Sequence, residues 1–132
     1  MQDHITKLVL LFLFFLATSM SCEKEDVEPS NHYKIDIEYS ISPNLSFTIS
    51  NINDSRCPEG ARCFWEGDVA MDFLIEEGNS VIDTTLDLSY HRDNPSEFGG
   101  YRFEITDVLP YPKLGTVIEL DEVRVVMDLV KQ

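Results

Sequence analysis

Val69-Ala70-Met71-Asp72-Phe73-Leu74-Ile75-Glu76-Glu77-Gly78-Asn79-Ser80 decides how the chain folds. Val69, Met71, Phe73 and Ile75 fall at every second position, with Asp72 and Glu76 between them, so an extended strand here has one apolar and one wet face. Glu77-Gly78-Asn79-Ser80 then closes a tight turn, because Gly and Asn tolerate the positive φ that such turns need. Ile82, Leu86, Leu88 and Tyr90 continue the alternation on the returning strand.

The same period extends in both directions. Upstream, Ile35, Ile37, Tyr39 and Ile41 alternate with Lys34, Asp36, Glu38 and Ser40, which predicts one strand from Tyr33. Ser42-Pro43-Asn44 is a turn, and Leu45, Phe47 and Ile49 pair back as a hairpin. Downstream, His91 to Gly100 reads as a polar loop, and Tyr101, Phe103 and Ile105 start another strand. Pro110 and Pro112 end its ladder pairing, since proline has no N–H to donate. Between Thr116 and Val130 a helix face (Leu120, Val123, Met127, Val130) competes with a run of valines that favours strand. A break at Asp121-Glu122 reconciles the two strand parities. Six to seven short strands without a helix predict an all-β domain over 33–132, an antiparallel β-sandwich or flattened barrel.

The 132 residues leave room for one such domain, and 43% hydrophobic content is too apolar for a disordered chain. A formal charge of -14 repels nucleic acid and anionic membranes; its ordinary role is solubility, with binding of cations or basic partners as the alternative. Leu8 to Ala17 is an unbroken apolar run after Lys7, too short to span a bilayer but suited to the core of a signal peptide. Ser19 and Ser21 place cleavage before Cys22, which predicts a signal segment over 1–21 and an acidic flexible tether over 22–32. The run before Cys22 resembles a lipobox, with Ser19 where that pattern usually carries a large aliphatic residue. Ordinary secretion would use the same bond. Lys24-Glu25-Asp26 is similar to the short acidic signal that follows the lipidated cysteine in surface-exported lipoproteins of the Bacteroidota. Cys22 is therefore the expected lipidation site. It would tie the protein to the bacterial outer membrane, on the cell surface in the further reading.

Cys57 and Cys63 are separated by Pro58-Glu59-Gly60-Ala61-Arg62 in a chain that leaves the cytoplasm, so a structural disulfide is expected. The spacing matches no thioredoxin-like redox pair, and a zinc site would need two further ligands. Arg56 and Arg62 have a local reading, salt bridges with Asp54, Glu59, Glu66 or Asp68. They also have a functional one, in which they steer an acidic partner or present Arg62 to a trypsin-type protease as an inhibitor loop. Trp65, the single tryptophan, is expected as a core anchor beside the disulfide, with an exposed ligand platform as the alternative. Arg56, Arg62 and Trp65 are thus the candidate interaction residues. No nucleophile elbow, carboxylate pair or phosphate-cradling loop is evident, and no cofactor is implied. His91 with Asp93, Asn94 and Glu97 is at best a weak cation site in a solvated loop.

Asp54-Ser55-Arg56-Cys57-Pro58, followed by Cys63, Trp65 and Gly67, resembles a recurring signature of small exported lipoproteins of Bacteroidota type, a family of uncharacterised function. Phe103 to Pro112 (Phe-Glu-Ile-Thr-Asp-Val-Leu-Pro-Tyr-Pro) is similar to the second block of that group. The resemblance implies an exported address and a β fold and brings no catalytic residue. Together these readings predict a lipid-anchored, non-enzymatic interaction module whose protein or glycan partner is unknown. The alternatives are a small metal-binding accessory protein or enzyme of the cell envelope, and a protease inhibitor.

Overall fold

The computed structural model describes residues 31–132; the predicted signal segment, Cys22 and most of the tether lie outside the described residues. Alternation becomes pairing as the sequence suggests. β2 (Glu38–Ser42), β3 (Leu45–Asp54), β4 (Val69–Glu77) and β5 (Ser80–Asp87) form one antiparallel sheet in the order β2-β3-β4-β5. β1 (His32–Tyr33), β6 (Ser96–Phe98), β7 (Tyr101–Leu109) and β8 (Arg124–Lys131) form the second, in the order β1-β8-β7-β6. A single short helix, α1 (Leu88–Asp93), joins β5 to β6 among the described residues. The two sheets stay separate, so the architecture is a sandwich and the flattened barrel falls away.

The apolar faces of both sheets make one core. Phe47, Ile49, Met71, Phe73 and Ile75 from the first sheet are buried with Phe103, Ile105, Val108, Val125 and Met127 from the second. Phe47 is its hub: its ring lies 5.5 Å from that of Phe103, 5.9 Å from that of Phe73 and 5.2 Å from that of Tyr33. Edge and tilted geometries of this kind add to the area that the rings bury. Besides a shift between Ser40 and Ser42 in β2, two register shifts in longer strands adjust the period. An extra residue at Ser50 in β3 and at Thr106 in β7 changes the parity, so Ile52 and Val108 turn inward after Ile49 and Ile105.

Several expectations are corrected. The strand predicted from Tyr33 to Ile41 is two strands in different sheets, because the chain crosses between layers at residues 34–37. Asp36 takes a left-handed φ of 57° and donates its N–H to Ile49 O at 2.8 Å, while Ile37 is left exposed. β1 also takes in His32, the last residue of the predicted tether.

Leu88 is buried as the period requires, but it opens α1, and Tyr90 is exposed instead of continuing the strand. His91 therefore lies in a helix and Ser96–Phe98 in a strand, where a single loop was expected. At the C-terminus neither the helix nor a long strand forms over 116–130. Residues 116–123 are irregular, with a turn closed by Glu122 N–H to Glu119 O at 3.0 Å, which places the parity break at Asp121-Glu122. The strand count rises to eight among the described residues, because β1 and β6 are too short to show a period.

Candidate functional site

Residues 55–68, the cysteine stretch, connect β3 to β4 and so extend that hairpin beyond the sheet. Its base continues the ladder: the Ser55 N–H donates to Asp68 O at 2.8 Å and the Cys57 N–H to Glu66 O at 2.8 Å. Gly67 makes the closure possible. At a φ of +71° it sits so near the opposite strand that a Cβ would lie 1.9 Å from Ser55 O, a position no other residue can take.

Asp68 fixes the base to α1. Its carboxylate accepts the Val69 N–H at 2.8 Å, the Ser89 N–H at 3.0 Å and the Ser89 hydroxyl. Burial tends to raise the Asp68 pKa, but the Ser89 hydroxyl, the two backbone N–H groups and the nearby Arg92 charge outweigh it and hold it below the usual carboxylate range.

Arg56 is the one buried charged or polar residue among those described, with a side chain 7% exposed. Its Nε and Nη2 donate to the two Asp54 oxygens at 2.9 and 2.6 Å, and the same carboxylate accepts the Arg56 N–H at 3.0 Å. On the far side Nη1 lies 3.5 Å from Asp107 of β7, and the guanidinium covers the Tyr111 ring at 4.6 Å from its centroid. Burial works to lower the Arg56 pKa; the hydrogen bond and charge of Asp54, with the charge of Asp107, carry it above the ordinary arginine value.

Around this contact the loop is stitched to the chain beyond β7. The Tyr111 hydroxyl donates to Cys57 O at 3.1 Å, the Glu59 N–H to Pro112 O at 2.9 Å and the Leu114 N–H to Glu59 O at 3.0 Å. The two sequence blocks, one on each sheet, thus meet at one end of the sandwich. Asp107 and Tyr111 were absent from the sequence-based candidates; the only hint of their role was that they fall in the second block.

Cys57 and Cys63 are joined by a disulfide, as expected. Arg56 takes its predicted salt bridge with Asp54, but Arg62 is exposed and makes no ion pair among the described residues. Trp65 is corrected. It is 76% exposed, with Phe64 fully exposed beside it, because both lie past the last ladder rung at Cys57 and Glu66, where no inward face remains. The core is filled instead by Phe47, Phe73 and Phe103.

A cleft of about 350 Å³ opens between the loop and α1, lined by Arg56, Glu66, Asp68, Ser89, Arg92 and Tyr111 among others. Within it the Arg56 guanidinium is engaged by Asp54 and the Ser89 hydroxyl by Asp68. His91, two residues on in the helix, uses Nδ1 to accept the Asp87 N–H at 2.9 Å. Asp93, Asn94 and Glu97 do not join it in a metal site, and no three His, Cys, Asp or Glu residues among those described are grouped to hold a metal ion. Nothing in this geometry points to enzymatic activity.

Fold and site together define a two-sheet antiparallel β-sandwich with a disulfide-braced, arginine-locked loop at one end. Comparison with family models, curated proteins and solved structures finds no match to the chain.

The Arg56 lock and the Asp68 contact with α1 each predict an outcome. The Asp54 side chain is 24% exposed and can rehydrate, whereas that of Arg56 is only 7% exposed. Asp54→Ala should therefore cost about 2–4 kcal/mol in urea unfolding, and Arg56→Met distinctly less, because removing one partner strands the buried charge. Asp68 has a folded pKa below its unfolded value of about 3.9, so the stability it contributes is complete above that value and is lost as pH falls through the folded one. Urea unfolding from about pH 6 to 2 should show a shallower acid limb in Asp68→Asn than in the wild type.

Proposed function

We propose that the chain is an exported, lipid-anchored β-sandwich module, without enzymatic activity of its own, that holds a protein partner on the Cys57–Trp65 loop. The observation that carries this reading is the display of Phe64 and Trp65, both exposed, on a loop held by a disulfide, the Arg56 contacts and the Tyr111-Pro112 stitch. Large aromatics exposed on a fixed frame are what a binding hot spot needs, because little loop entropy is lost when a partner docks. Leu114 and Val117, also exposed, lie on the chain segment that the loop is stitched to and widen the apolar surface at that end. Such a surface suits a protein better than a charged polymer.

Lipidation at Cys22, outer-membrane attachment and surface display rest on the sequence: the apolar run, the small residues before Cys22 and the acidic residues after it. The acidic tether would then hold the domain away from the bilayer.

Crosslinking on intact cells tests the reading as a whole. Wild type should capture a defined partner, and Phe64→Ala/Trp65→Ala should lose about 30-fold in apparent affinity, the scale of a hot-spot pair, with unchanged circular dichroism. Equal capture by both would remove the loop as the binding surface.

A further inference from the structure

Among the described residues, three of the four outer strands are blunted. β1 has two residues, β6 has three, and β2 has five with a register shift between Ser40 and Ser42. β5 is different. It runs for eight residues, contains no proline, and pairs with β4 without a shift from Glu77 opposite Ser80 to Ala70 opposite Asp87. Long, regular edges of this kind offer a row of backbone groups to another strand.

The turn fixes which groups face outward. Gly78, at a φ of 60°, and Asn79 make a two-residue hairpin, in which the closing pair Glu77 and Ser80 exchanges backbone hydrogen bonds. By alternation Ile82, Thr84 and Leu86 bond to β4, while Val81, Asp83, Thr85 and Asp87 direct N–H and C=O away from it. The Asp87 N–H obeys this phase, since His91 Nδ1 accepts it at 2.9 Å. Among the described residues no backbone hydrogen bond outside the β4 ladder engages Val81, Asp83 or Thr85.

The side chains specify what could pair there. On the solvent face of β4 and β5 lie Asp72, Glu76, Asp83 and Asp87, and neither strand contains a lysine or arginine. On the other face Ile82 and Leu86 join the core. A second copy would bring the same acids together on chains of charge -14, which disfavours self-pairing. We infer that the β5 edge is a docking site for an extended segment of a partner protein that alternates Lys or Arg with apolar residues, added as a ninth strand. Its basic side chains meet Asp83 and Asp87, its apolar ones extend the layer of Ile82 and Leu86, and its backbone satisfies Val81, Asp83 and Thr85. This surface involves neither Phe64 nor Trp65, so it stands or falls separately from the loop.

The probe is a capped heptapeptide alternating lysine and valine, titrated into the full chain at about 0.15 M salt, where exposed charge attraction is screened beyond about 8 Å. Its control carries N-methyl groups on the lysine amides, the ones that face β5, and keeps every charge. The parent should bind at least ten-fold more tightly than the control and slow hydrogen exchange at Val81, Asp83 and Thr85 at least ten-fold. Asp83→Lys, an exposed change on the edge, should weaken the parent at least ten-fold. Equal affinity of the two peptides overturns the inference, because charge alone then accounts for binding. So does protection confined to other amides, or a dimer of the unliganded chain in which these three amides are already protected.

Discussion

A guanidinium cannot be left alone inside a protein, and the end of this sandwich is arranged around that fact. Arg56 is buried at the point where the β3–β4 connection leaves the sheet, and desolvating its charge would cost several kcal/mol without partners. Asp54 meets it in a fork, Asp107 closes from β7 and Tyr111 lies beneath it. Asp54 belongs to one sheet and Asp107 to the other, so satisfying the arginine fixes the loop against the opposite layer. Three further hydrogen bonds from Tyr111, Glu59 and Leu114 then fall into place between the loop and the segment after β7.

The disulfide plays a more local part. It closes a small ring, for which the chain-entropy argument gives roughly 2 kcal/mol, and it shapes the loop tip without reaching the other sheet. With the base held by the ladder and the lock, and the tip held by the ring, Phe64 and Trp65 have nowhere to fold back to. Their exposure is thus a consequence of how the loop is anchored. An aromatic that could swing into the core would have lost that display.

Much of the fold is legible because period-two burial is a local property. Leu45 to Ile49, Val69 to Ile75 and Phe103 to Ile105 alternate in the sequence and are buried in the structure. The gap of three from Ile49 to Ile52, and again from Ile105 to Val108, marks the bulges in β3 and β7. What failed depended on distant partners. Nothing near Asp36 announces a left-handed residue that sends the chain to the other sheet; its N–H bonds to Ile49, thirteen residues on. Leu88 carries the right parity for a strand, and only Asp68, reaching across from the loop base, reveals a helix start there. Within the site, the Arg56–Asp54 pair could be proposed from adjacency. The Asp107 and Tyr111 contacts could not, and without them Trp65 looked like a core residue.

Amide hydrogen exchange with the disulfide opened tests most directly whether the arginine lock or the ring holds the loop. In Cys57→Ser/Cys63→Ser, the Glu59 and Leu114 amides, which bond across the loop and the segment after β7, are read against the core amides of β4. If Arg56 anchors the loop, both amides remain protected while the tip around Phe64 exchanges faster. Free exchange at Glu59 and Leu114 alongside an intact β4 would contradict it and leave the disulfide as the true anchor.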